Sequence, residues 1–151
     1  MLFNARKRLA NTYAHPNFFK FQRGDWKAGL NVKTFEANKS TVSGGITETI
    51  TNLIPAGCLL LGMVGKVTVG IVGAGLTTFS VGIATDTDRF ATGLAKAAGT
   101  TFGLADVGAH TSLLLYPAAT SVTLTGDAGV FTTGTVHIVG YYIDLDPLIT
   151  M

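Results

Sequence analysis

Charge is what this sequence has least of. Only 13% of its 151 residues are Asp, Glu, Lys or Arg, about half the share of an ordinary soluble domain. Nineteen glycines and many threonines fill the gap. Such a chain cannot keep its whole surface in water by charge, which points to a surface that meets other protein chains. Cysteine is nearly absent. Cys58 stands alone in the apolar run GCLLLG, so an internal disulfide is excluded and the residue reads as a small buried hydrophobe rather than a nucleophile. His15, His110 and His137 form neither H-x-x-x-H nor H-E-x-x-H, so metal-ligand spacing is missing. His137, inside TVHIVGYY, reads as an outward strand histidine. A G-x-S-x-G elbow is missing too, and with it the local signature of one large class of hydrolases. No catalytic residue, no metal and no cofactor are expected; the chain reads as a non-enzyme.

Long apolar runs are also interrupted. Leu53 to Val72 is the most hydrophobic stretch, but Lys66 lies within it, Pro55 sits near its start, and glycine recurs at 57, 62, 65 and 70. A spanning helix needs about 20 continuous apolar residues, so the stretch reads as buried strands and no membrane partner is expected. The basic N-terminus has no apolar h-region or cleavage site of a secretory signal.

The segment VGIVGAGLTT, Val69–Thr78, invites comparison with a dinucleotide fingerprint. Gly73 and Gly75 fill the first two places of G-x-G-x-x-G, but Thr78 occupies the third, where glycine lets the helix pack on the sheet. The following residues alternate in the period of a strand rather than a helix. Asp86 and Asp88 come too early for the ribose-binding acid. The expectation is a β-hairpin turned by Gly73-Ala74-Gly75, with no nucleotide bound.

What the sequence does contain is divided in two. Residues 1–40 carry Arg6, Lys7, Arg8, Lys20, Arg23, Lys27, Lys33 and Lys39 against Asp25 and Glu36, a net charge of +6 within the first 39 residues. The remainder is net −4. The aromatics Phe3, Tyr13, Phe18, Phe19, Phe21, Trp26 and Phe35 are interleaved with the basic groups. This reads as an extended arm, ordered by docking, whose basic groups meet an acidic partner and whose aromatics fill pockets. Arg6, Lys7, Arg8, Phe18, Phe19 and Trp26 are the candidate partner-binding residues. The same mixture permits phosphate contacts and base stacking. The charge is dispersed, however, and only Arg6-Lys7-Arg8 cluster, so an acidic protein surface ranks before nucleic acid.

Residues 41–151 read as one all-β domain, a β-sandwich of jelly-roll-like type. Strands are expected at 46–53, 57–62, 64–72, 77–84, 89–94, 112–115, 121–125 and 135–145, separated by turn residues at the regular spacing of such folds. Ala91–Ala98 alone looks mildly helical. Asp86 and Asp88, the best carboxylate pair, are expected in a turn rather than around a cation, and Asp144 with Asp146 read the same way.

The body has a recognisable texture. The succession TNLIPAGCLLLGMVGKVTVGIVGAGLTTFSVGIATDTDRFATGL, followed by Ala98–Thr101, Gly134–Leu145 and Pro147, resembles a recurrent module of tailed-bacteriophage structural proteins over roughly residues 46–147. The resemblance lies in hydrophobic and glycine positions and leaves the N-terminal arm unmatched. It implies a virion component with a β-sandwich, usually a homotrimer, of the head decoration (cement) or the tail fibre and spike type. The expected function is therefore capsid decoration, with the major capsid protein as partner and the virion capsid as location. The alternative is a tail module that binds a host-surface glycan or an adaptor. Glycan binding favours exposed aromatics in the loops. The body has few, chiefly Phe102, Tyr116 and Phe131, while the arm has seven, which favours decoration.

Overall fold

The computed structural model describes residues 32–103 and 114–145. These form nine strands: β1 (Val32–Ser40), β2 (Thr47–Ile54), β3 (Cys58–Val72), β4 (Thr78–Ile83), β5 (Asp86–Ala95), β6 (Thr101–Phe102), β7 (Leu114–Tyr116), β8 (Thr120–Gly126) and β9 (Thr133–Asp144). Two antiparallel sheets result. The five-stranded sheet runs β1-β9-β3-β6 with β7 also on β3, and the four-stranded sheet runs β2-β8-β4-β5. The pairing is nested: β1 with β9, β2 with β8, β3 with β6 and β7, β4 with β5. It is the pattern of one long hairpin, turned at Ala84–Thr85, rolled so that β9 also meets β3 and β8 also meets β4. The expected all-β sandwich is what the described residues form.

Alternation within the strands puts the core between the sheets. Cys58, Leu60, Met63, Val67 and Ile71 of β3 face Phe79, Val81, Val122 and Leu124 from the other layer, all buried. Phe79 and Phe131 meet edge to face at 6.4 Å, a favoured geometry for aromatic rings. Pairing across β9 slips between Leu60 and Gly62. That bulge lets one strand cover two expected ones, because Leu61 takes the extra place without breaking the ladder.

Four expectations change. Lys33–Ser40, read as arm, belong to edge strand β1. Its inward row is Lys33, Phe35, Ala37 and Lys39, so a short alternating pattern was hidden inside a basic region. Phe35 packs over Gly140, where a side chain would leave its ring no room, and meets the Tyr142 ring in a tilted contact at 5.9 Å. The mildly helical stretch is the end of β5 followed by a bend. Its apolar residues Ala91 and Leu94 pair with Val81 and Phe79 across a register shift, and packing overrides local propensity there. Asp86 and Asp88 lie on β5, not in the turn, and Asp86 pairs with Arg89 at 2.9 Å.

The fourth change concerns Gly73-Ala74-Gly75. This segment does not turn a hairpin; it carries the chain from the five-stranded sheet to the four-stranded one. There its backbone lies against the connection between β8 and β9, with Val130 N–H donating to the Ala74 carbonyl at 3.2 Å. An added Cβ at Gly73 would collide with the carbonyl oxygen of Val130. Gly75 has φ +71°, a region side chains disfavour. The glycines thus serve close approach of two protein backbones. Gly73→Ala is expected to destabilise the fold by at least about 2 kcal/mol, as overpacking against fixed backbone does. Gly70→Ala, whose Cβ would meet Ala98 N at 3.7 Å and nothing closer, should leave the urea midpoint almost unchanged. Equal midpoints for the two variants would contradict this account of the motif.

Candidate interaction surface

The six arm residues singled out above, Arg6, Lys7, Arg8, Phe18, Phe19 and Trp26, lie outside the described residues. What the structure does place is the root of the arm, β1, and the two faces of the sandwich. Both lysines of β1 point inward and are paired within the chain. Lys33 Nζ binds the Asp144 carboxylate at one end of the sandwich, and Lys39 Nζ lies 3.0 Å from Glu48 Oε2 at the other. The Lys39 pair links the outer strands of the two sheets. Glu48 is buried, and its other oxygen accepts from Ser43 N–H at 2.6 Å in the connection between β1 and β2. Burial raises its pKa, but the bonds from Ser43 and Lys39 outweigh that and hold the carboxyl below the ordinary range. Lys33 and Lys39 are therefore not part of a free basic surface.

Cys58, His137 and Asp127 are the other polar groups whose surroundings are well defined. The Cys58 thiol is buried, with its pKa pushed up by desolvation and by Asp144. The His137 ring, on the outer face of β9, lies with Nδ1 3.0 Å from Asn38 Oδ1. Asp127 accepts from the Thr77 hydroxyl, from Thr77 N–H at 3.2 Å and from the Thr78 hydroxyl at 3.0 Å. Those bonds, the Thr77 hydroxyl first, hold its carboxyl far below the usual range. Among the described residues, no group of three or more His, Cys, Asp and Glu is arranged to hold a metal ion.

The outer faces differ in kind. On the four-stranded sheet, Thr47 pairs with Thr125 and Thr125 with Ser80, while Thr49 pairs with Thr123. Ser80 reaches Thr92 on β5 at 3.4 Å, so hydroxyls run across the whole face. The outer face of the five-stranded sheet carries Val32 (56% exposed), Tyr141 (42%), Leu115 (52%), Val69 (56%) and Val72 (59%), five of the seven exposed large hydrophobics among the described residues. Composition predicted a surface that meets other chains but could not assign it to a face, because that depends on which strands become neighbours.

No protein family and no curated protein matches the chain. A solved structure does: a chain of the cyanophage Pam1 capsid asymmetric unit aligns with TM-score 0.51 and 18% sequence identity, covering 76% of this chain and 86% of that one. The matched chain is thus somewhat shorter than this one. At this identity the likeness establishes a shared fold.

The clasp at the arm's root predicts a pH dependence. A carboxyl whose folded pKa is lowered contributes stability in full above the unfolded range, and loses it as pH falls through the lowered value. Glu48→Gln should therefore cost about 1–3 kcal/mol near neutral pH, the usual penalty for breaking a buried charged bond, and the cost should shrink below pH 4. Chemical denaturation of both proteins from pH 3 to 8 measures the difference, and a penalty that grew on acidification would contradict the assignment.

Proposed function

We propose that this protein is a structural component of a bacteriophage virion: a capsid decoration (cement) protein that binds the major capsid protein through its N-terminal arm and stabilises the shell as a homotrimer. The observation that carries this reading is the shared fold with a chain of similar length from a cyanophage capsid asymmetric unit. The nested strand order supports it, since pairing first strand with last and second with second-to-last is the order of a jelly roll, an architecture frequent in viral capsids. The resemblance of residues 46–147 to tailed-phage modules points the same way.

With β1 assigned to the sandwich, the arm comprises residues 1–31. It keeps Arg6, Lys7, Arg8, Lys20, Arg23 and Lys27 against Asp25, and six of the seven aromatics. Fully extended, such a segment reaches about 100 Å at ~3.3 Å per residue, enough to cross onto neighbouring subunits. Exposed ion pairs are worth about 0–1 kcal/mol each, so docked aromatics carry most of the affinity, as at other interfaces.

Imaging of virions by cryo-microscopy tests the placement: hundreds of copies on the head mean decoration, and a few to tens on the tail mean the fibre or spike reading. The arm is tested by removing residues 1–31. A cut at residue 39 would be misleading, because it would also delete β1. The truncated chain should keep its β circular dichroism and lose occupancy on particles. Trp26→Ala should weaken binding at every salt concentration. Neutralising Arg6, Lys7 and Arg8 should weaken it mostly at low salt, where screening is least. Full occupancy by the truncated chain would show that the arm is not the anchor.

A further inference from the structure

We propose that the outer face of the five-stranded sheet is the surface on which copies of this chain join each other, with Glu36 of one copy paired to Lys66 of the next. The inference rests on the homotrimer proposed above and says which face builds it. The exposed apolar side chains are segregated. Val32, Tyr141, Leu115, Val69 and Val72 all lie on this face, while the opposite face of the sandwich presents threonine and serine hydroxyls and none of the large exposed hydrophobics. Half-buried Leu59, Leu61, Val64 and Val139 continue the apolar surface between them. An apolar centre with a polar rim is the usual build of a protein–protein interface.

Charge identifies the occupant. Strand alternation places Glu36 of β1 and Lys66 of β3 on this face, while Lys33 and Lys39 turn inward to Asp144 and Glu48. Glu36 and Lys66 are the acid and the base of the face among the described residues, and neither takes part in an ion pair there. They stand on opposite sides of β9: Glu36 is level with Val139 and Val64, and Lys66 is level with His137 and Asn38, one row along. At about 4.8 Å between strands and about 6.8 Å between rows on one face, their backbones are ~12 Å apart. Each copy therefore offers an acid on its β1 flank and a base on its β3 flank, with Tyr141 and Val139 between. In the homotrimer proposed above these two flanks meet head to tail, a contact that closes into a ring when the rotation divides the circle. In a ring of three, each copy gives Glu36 to one neighbour and Lys66 to the other. The same contact would cover β1, the edge strand of this sheet.

The test is the oligomeric state of the full chain by sedimentation over a wide concentration range, with folding checked by circular dichroism. The wild type should be a trimer. Glu36→Lys and Lys66→Glu should each shift the assembly midpoint to at least about tenfold higher concentration, as a like-charge contact at an interface does. The double variant, which exchanges the charges, should recover most of that shift. Tyr141→Lys should dissociate the trimer, whereas Thr49→Lys on the hydroxyl face should not. Single variants that assemble like the wild type, or a double variant no better than the singles, would overturn the inference while leaving the trimer standing. A wild type that stays monomeric at every concentration would overturn the trimer and this face with it. A trimer indifferent to Tyr141→Lys, together with particles that no longer take up that variant, would assign the face to the shell instead and equally overturn it.

Discussion

β9 pairs along its length with β1 on one side and β3 on the other, and the rest of the structure depends on that double ladder. It ties the first described strand and the last to the long strand in the middle of the chain. Because β1 and β3 are separated by the excursion through β2, and β9 arrives only after both, the five-stranded sheet cannot close until most of the chain is in place. Such a topology gains little from local contacts, and folding through distant pairings is intrinsically slow. The β4–β5 hairpin is the local exception, closed by two residues at Ala84–Thr85, and is the natural place for pairing to begin.

Nested pairing also explains the glycines. In a rolled hairpin most connections pass between layers rather than turn back within one, so they crowd at the two ends of the sandwich. The β3–β4 and β8–β9 connections touch backbone to backbone: Gly73 lies under Val130, and Gly129 lies against Ala74 and Leu76. A sequence that resembles a phosphate-binding turn arises from the same need, a backbone that something rigid can approach closely, met here by another stretch of the same chain.

The periodicity of the body was readable because alternation is local. Residues 46–54, 58–72, 78–83 and 120–126 show it without knowledge of their partners, and most expected strands lie within a few residues of the observed ones. What was not readable depends on neighbours distant in sequence. Lys33, Phe35 and Lys39 looked like arm because their inward phase only has meaning beside Asp144, Gly140 and Glu48. The turn at Gly73–Gly75 looked like a hairpin because nothing local says that β4 joins the opposite sheet. The Glu36 and Lys66 flanks share this property, since they become parts of one face only once β9 lies between them.

The scarcity of charge then acquires a structural meaning. Most of the charges in the described residues sit at the rims of the sandwich, where Lys33–Asp144, Lys39–Glu48 and Asp86–Arg89 close its open ends and Asp127 fastens Thr77 and Thr78. The broad faces are left almost neutral, one hydroxylated and one apolar. On the hydroxylated face the exposed Thr47, Thr49 and Thr92 can be hydrated without charge, because each hydroxyl both donates and accepts, while the Thr123 and Thr125 hydroxyls are buried. An apolar face of comparable extent gains free energy only when it is covered. The two faces therefore give the sandwich a direction, one side suited to solvent and the other to a neighbouring chain, and that polarity follows from which residues each ladder turns outward.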